Sequence, residues 1–234
     1  MKKPISFLVV GALLISVVFA GCSNNNNNSR SGTVSTSTPT EALYTDKNGV
    51  SYNQSPNGEL YVSKFSGKES DLKIPSEIKG KTVKSIGRSS LKMSKVKTVV
   101  IPDTVKSIDD YAFAFSKNLE SVIIPDSVKT IGTCAFAGCA KLKNVKLSKN
   151  LNSIGMYCFD ATAVEKIDIP KSVNRIKAYA FAECKKLNEI IINSNNTEID
   201  DTAFNKSANV TIIAPKNSKA IKYAESKKIK YKVK

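Results

Sequence analysis

Five cysteines, two adjacent carboxylate pairs and a dense run of lysines are the residues of this 234-residue chain whose types could carry chemistry, and histidine is absent. Without imidazole there is no Ser-His or Cys-His nucleophile and no His-metal arrangement. No Cys-x-x-Cys occurs, which removes the common zinc-ligand spacing. Cys139 and Cys184 each follow a phenylalanine by three residues, where other copies of the same pattern carry Ser116, Thr162 and Ser207. Such an interior turn accepts a small, mildly polar residue. These two cysteines stand two copies apart, roughly 10 Å at the spacing of neighbouring strands, which exceeds disulfide reach. Cys134 and Cys158 fall in adjacent copies, offset by one position, so either a bridge or two structural thiols fits them. Asp109-Asp110 and Asp200-Asp201 lie between an isoleucine and an Ala-Phe pair, where acids cap and complement a helical turn. Serines and threonines are plentiful, but no base is present to activate them. No catalytic residue, metal site or cofactor is assigned, and the chain reads as no enzyme.

Cys22 has a different setting. Lys2 and Lys3 form a positive n-region, Phe7 to Ala20 an apolar stretch, and Phe19-Ala20-Gly21 a small-residue cleavage site, as in a secretory leader. The apolar stretch is shorter than the ~20 residues that span a bilayer. Val18-Phe19-Ala20-Gly21-Cys22 resembles a bacterial lipobox, although leucine is commoner than Phe19 at its place. That resemblance implies lipid attachment at Cys22; an ordinary cleaved leader and a retained anchor helix are the alternatives. Ser23 to Thr40 holds five consecutive asparagines and almost nothing apolar. It cannot bury enough surface to offset its ordering entropy, so a flexible tether is expected.

The formal net charge is +16, and Lys216 to Lys234 alone holds eight lysines against Glu225. Such a field favours anionic partners such as wall polymers, acidic glycans, nucleic acid or acidic lipid. The alternative is a solubilising surface on an end cap.

The elements that must position these residues are repeats. Ile-Pro recurs at Ile74-Pro75, Ile101-Pro102, Ile124-Pro125 and Ile169-Pro170, and in altered form at Leu147-Ser148, Ile192-Asn193 and Ala214-Pro215. A second column, Phe113, Phe136, Phe159, Phe181 and Phe204, has Leu91 in its first copy, and a third runs Ile86, Ile108, Ile131, Ile154, Ile176 and Ile199. Three columns share one period of 22–23 residues, lengthened to 27 in the first step by Lys79-Gly80-Lys81. Val122 and Ile124 alternate and point to one face of a short strand. Proline then ends it, and Asp126-Ser127, like Asp103-Thr104 in the preceding copy, supplies a turn. A unit this short buries its apolar face only by stacking on its neighbours. Val50 to Val62 reads as a hairpin around Pro56-Asn57-Gly58. Ser218 to Ser226 reads as a short helix, and Lys228 to Lys234 as a half-buried strand with lysines outward to blunt an edge.

The pattern Leu-x-x-Val-x-Ile-Pro-x-Ser-Val-x-x-Ile-Gly-x-x-Ala-Phe-x-x-Cys, starting at Leu119, resembles the BspA-like type of leucine-rich repeat found in bacterial surface antigens. The resemblance runs from about Val50 to the C-terminus. It implies extracellular display and binding of host or neighbouring-cell macromolecules. The expected fold is mostly β, an α/β-type repeat solenoid. It is a right-handed leucine-rich-repeat solenoid with a parallel concave sheet, an N-terminal β-hairpin cap and a C-terminal helix-strand cap. Expected segments are a lipoprotein signal peptide (1–21), a tether (22–42), a cap (43–70), repeats (71–215) and a basic cap (216–234).

Solenoids offer an extended concave surface. Outward strand positions there run Val100, Ile123, Lys146, Asp168, Ile191 and Ile213, beside a row of Thr98, Ser121, Asn144, Lys166, Glu189 and Thr211. Two apolar pairs flank a charged centre, a pattern that the strand preference of β-branched residues also produces. The candidate binding residues are Val100, Ile123, Lys146, Lys166, Asp168, Glu189, Ile191 and Ile213. The expected function is a cell-surface lipoprotein, a monomer on the outer face of a bacterial membrane. Its partner would be an extracellular protein or glycan rather than a specific nucleic acid. The alternative is a structural envelope protein held to anionic wall polymers by its charge.

Overall fold

The computed structural model describes residues 42–234. Cys22, the leader and most of the tether lie outside the described residues.

A typical copy contributes a strand of three or four residues, a turn that most often opens on proline, a two-residue strand and a turn carrying the phenylalanine. The first strand of each copy recurs as Asp71–Lys73, Thr98–Val100, Ser121–Ile123, Asn144–Lys146, Lys166–Ile169, Glu189–Ile192 and Thr211–Ala214. Neighbours pair in parallel without slippage, Val99 against Val122 and Ile167 against Ile190. The period-two alternation therefore holds through the stack. Val122 and Ile124 are buried, whereas Ile123 between them is exposed. The column is divided: no ladder joins Asn144–Lys146 to Lys166–Ile169, leaving two four-stranded sheets. The isoleucine column divides at the same copy, between Thr130–Ile131 and Ser153–Ile154.

The Ala-Phe turns are not helical, contrary to the capping role expected of the aspartate pairs. They alternate in backbone direction instead. Tyr111, Phe113 and Phe115 donate their N–H groups to the carbonyls of Thr133, Ala135 and Ala137 in the next copy, at 2.7–2.9 Å. Tyr111 and Phe115 take φ of 58° and 59° to do so, and Tyr157/Ala161 and Tyr179/Glu183 repeat that left-handed pair. Left-handed backbone costs a non-glycine residue energy, and satisfying three buried donors per interface offsets it. Gly138, with φ 69°, meets the same demand without a Cβ, which would lie 2.5 Å from the Phe115 ring.

Between the strands and these turns sits one continuous apolar core. Its spine is a stack of rings, Phe113–Phe136–Phe159–Phe181–Phe204, with centroids 5.1–5.7 Å apart and planes within 11°. Two hydroxyl or thiol columns run beside it. Ser116, Cys139, Cys184 and Ser207 donate to the carbonyls of Leu91, Phe113, Phe159 and Phe181 in the preceding copy. Ser127, Ser148, Ser172 and Thr197 do likewise to Val105, Val128, Leu151 and Val173. A small polar residue is thus retained at each place because a buried carbonyl needs a donor.

At the N-terminal end, Val50–Gln54 and Leu60–Phe65 form the antiparallel hairpin. It extends the isoleucine-column sheet by pairing in parallel with Lys81–Ile86, and it buries Tyr52, Leu60 and Val62. The extra residues of the first copy make a tight turn, Lys79 at φ 49° and Gly80 at φ 75°. It joins Glu77–Ile78 to Lys81–Ile86, and two positive φ values are what a two-residue hairpin turn requires. At the other end the single helix among the described residues, Lys219–Ser226, is capped by the Ser218 hydroxyl and buries Ala220, Ile221 and Ala224. Strand Lys230–Val233 follows, in parallel register with Thr211–Ala214. It is not half-buried as expected. All four residues are exposed, and among the described residues no further rung covers the positions that continue the core column.

Candidate binding face

Parallel register brings the outward residues into rows. Val100 pairs across the ladder with Ile123, and Ile123 with Lys146. In the second sheet Asp168 pairs with Ile191 and Ile191 with Ile213. The structure therefore brings together Val100, Ile123 and Lys146 as one cluster, and Lys166, Asp168, Glu189, Ile191 and Ile213 as another. No ladder joins the two clusters. Val100 and Ile123 are 55% and 63% exposed, a large exposure for aliphatic side chains, whereas Ile191 and Ile213 are half-buried.

The first cluster lines an open groove of about 590 Å³, with Ile101, Pro125, Asp103, Asp126 and Ser127 along its side. Asp103 and Asp126 stand out because their turn position becomes Lys149, Lys171 and Lys216 in later copies. The face is thus acidic beside its exposed aliphatic pair and basic beyond it. Asp126 also accepts from Lys149 N–H at 2.8 Å, tying its turn to the next copy. Sequence reasoning assigned Asp103 and Asp126 to turn chemistry alone. The change of sign along one column was the available signal for more.

In the second cluster the charges are already satisfied within the sheet. Lys166 Nζ lies 2.9 Å from Glu189 Oε2, and that hydrogen bond and charge hold the Glu189 carboxyl below its ordinary range. Asn193, where the pattern has proline, donates through Nδ2 to Asp168 and to the Ile169 carbonyl, and accepts from Lys234 Nζ. Asp168 is therefore pinned beneath the next copy's turn.

The remaining sequence candidates resolve into structure. Cys139, Cys158 and Cys184 are free and buried, so Cys134 and Cys158 are not bridged. Burial pushes the Cys139 thiol up to about 12 and the Cys184 thiol to about 11, where no reactive thiolate is populated at neutral pH. Asp110 Oδ1 accepts from Thr133 N–H in the next copy, and Asp200 Oδ1 from Thr202 N–H. Both carboxylates thus cap turns. Asp160, in a position held by Ala114, Ala137 and Ala182 in other copies, is pushed up to about 6 by burial and by Glu183 nearby. Among the described residues no group of three or more Cys, Asp or Glu is placed to hold a metal ion, and no helix is long and apolar enough to cross a membrane.

The repeat geometry matches a known family model. Six copies of the BspA type leucine-rich repeat region match residues 106–225. The chain belongs to the BspA-type leucine-rich repeat family. A leucine-rich repeat protein from Bacteroides ovatus is similar in structure, with a TM-score of 0.64 and 33% identity over 73% of this chain. The match takes in 47% of that protein, so this BspA-type chain spans about half its length. The leucine-rich repeat protein of T. pallidum shares the fold, with a TM-score of 0.52 and 23% identity over 72% of this chain and 70% of that one. No curated protein matches the chain.

Proposed function

We propose that this BspA-type repeat protein binds an extended macromolecule along the concave face, with no catalytic step. The reading places it on the outer face of a bacterial membrane, held by lipid on Cys22 and serving adhesion. The observation that supports binding most directly is the exposed Val100–Ile123 pair beside its groove. Two adjacent aliphatic side chains more than half exposed on a rigid sheet gain free energy when a partner removes them from water. The polar row next to them, Thr98, Ser121 and Asn144, supplies hydrogen-bond specificity.

The test is capture of surface macromolecules from whole cells by the full chain and by two double variants. Val100→Glu plus Ile123→Glu should abolish capture. Lys146→Glu plus Lys166→Glu should weaken it or change the captured species. Unchanged capture by both variants would remove the concave face from the mechanism.

The basic positions Lys149, Lys171 and Lys216, all exposed, favour a second reading in which charge holds the protein to an anionic wall polymer. The two readings separate by salt. Counter-ion screening at moderate salt releases a purely electrostatic attachment, whereas aliphatic burial persists.

A further inference from the structure

The four rungs of the first concave sheet carry charges at a definite spacing. Lys73 pairs across the ladder with Val100, Val100 with Ile123, and Ile123 with Lys146. The exposed aliphatic pair is thus bracketed by a lysine at each end of one row. Both lysines are exposed, and neither ammonium has a partner among the described residues. Asp71, on the same strand as Lys73, is taken up by the hydroxyls of Thr98 and Ser70 at 2.5 and 2.8 Å. Asp103 and Asp126 line the side of the groove on neighbouring copies. The Asp103 carboxylate has no partner among the described residues. Asp126 accepts from the Lys149 N–H through one oxygen, and its other oxygen meets Lys149 Nζ only at 3.8 Å, in an exposed pair that is weak in water.

The spacing selects a conformation. From the midpoint of Val100 and Ile123, Lys73 and Lys146 each lie one and a half rungs away, about 7 Å. In an extended chain alternate residues face the same side, and they too stand about 7 Å apart. A segment laid along the solenoid axis therefore presents residues i−2, i and i+2 in step with Lys73, the groove and Lys146. The groove suits a side chain that is apolar along its stem and cationic at its tip. Arginine methylenes cover Val100 and Ile123, and the planar guanidinium reaches Asp103 and Asp126 together. The flanking lysines suit carboxylates.

We propose that this groove docks an extended polypeptide segment of the form acidic-x-arginine-x-acidic, lying across the rungs from Lys73 to Lys146. The assignment rests on the concave face being the binding surface and adds the chemistry of what it binds. Among the 234 residues of the chain no acidic-x-basic-x-acidic run occurs, so a second copy of these residues does not supply the segment. A polyanion such as a wall polymer matches the two lysines but meets Asp103 and Asp126 with the wrong sign.

The experiment measures fluorescence anisotropy of a labelled peptide with the core glutamate-threonine-arginine-threonine-glutamate, titrated with the full chain. Saturable binding is expected. Asp103→Asn plus Asp126→Asn should weaken it about tenfold, the loss of a charge-assisted contact. The Tm should not change, since an asparagine oxygen still accepts from the Lys149 N–H. Asp103→Lys plus Asp126→Lys should transfer preference to a peptide with glutamate at the centre, a readout that holds even where that variant is less stable. Equal binding of a peptide with the same composition and its arginine at one end would overturn the proposal in favour of charge alone. Full affinity in the asparagine variant would overturn it too, as would tighter binding of the central-glutamate peptide to the unaltered chain. Whole-cell capture that Val100→Glu plus Ile123→Glu abolishes and the asparagine variant leaves intact would overturn this assignment while the concave-face reading stands. Capture indifferent to every concave-face variant would overturn both.

Discussion

The rings of Phe136 and Phe159 lie 5.5 Å apart with planes 2° from parallel, although 23 residues separate them in the chain. That spacing follows from the strand ladder: adjacent rungs sit about 4.8 Å apart, and identical residues in register must meet face to face. Phe136 is completely buried, so Phe136→Ala should cost about 3–5 kcal/mol. Phe136→Leu should cost less, since Leu91 fills this column in the first copy. Chemical unfolding of the two variants checks the order.

The buried thiols should be replaceable by hydroxyls but not by methyl groups. Cys139 Sγ donates to the Phe113 carbonyl at 3.1 Å, and Ser116 and Ser207 make the same bond elsewhere. Cys139→Ser should therefore be near neutral, whereas Cys139→Ala strands a buried carbonyl and should cost about 1–3 kcal/mol. A thiol reagent should label Cys139, Cys158 and Cys184 only after unfolding, and labelling at the rate of a free thiol in the native state would contradict their burial.

Asp160 should make stability depend on pH. Its pKa is raised from 3.8 to about 6 in the folded chain, so the folded state holds the proton more tightly than the unfolded one. The neutral carboxyl is accommodated below pH 4, and stability is lost as pH rises from about 4 through 6. Asp160→Ala, matching the other copies, should raise stability by about 1–2 kcal/mol at pH 7.5. Near pH 4 the gain should vanish. Unfolding curves at both pH values decide it, and a gain independent of pH would mean that charge is not the cause.

Restoring the pattern at Asn193 should harm rather than help. Its N–H donates to the Ile169 carbonyl at 3.1 Å and its amide bridges to Lys234. Asn193→Pro removes both and should cost about 1–2 kcal/mol, with faster hydrogen exchange at Lys234. A stabilised variant would mean that proline geometry outweighs these bonds.

Much of this fold is legible in one dimension, because a stacked repeat turns sequence period into spatial contact. The phenylalanine and isoleucine columns, the alternation around Ile123 and the hairpin at Val50–Gln54 each follow from residue type and spacing. The aspartate pairs were harder. Asp109-Asp110 and Asp200-Asp201 look like helix caps, but the turns that follow them take left-handed backbone, at Tyr111 and Phe115 after the first pair and at Lys206 after the second. Nothing in those side chains signals positive φ. The neighbouring copy's carbonyls impose it.

By itself the sequence determined the period, the core columns, the place of the end caps and the absence of imidazole chemistry. These depend on which residues recur and at what interval. Only the tertiary structure decided which outward residues are exposed together, since that depends on ladder continuity across copies. It divided the face at Lys146 and Lys166, drew Lys166 and Glu189 into an ion pair, and left Val100 and Ile123 open. It also decided the state of the last strand. Alternation in Lys228 to Lys234 announces an inward and an outward side, but burial of the inward side requires another rung, and among the described residues none follows Tyr231 and Val233.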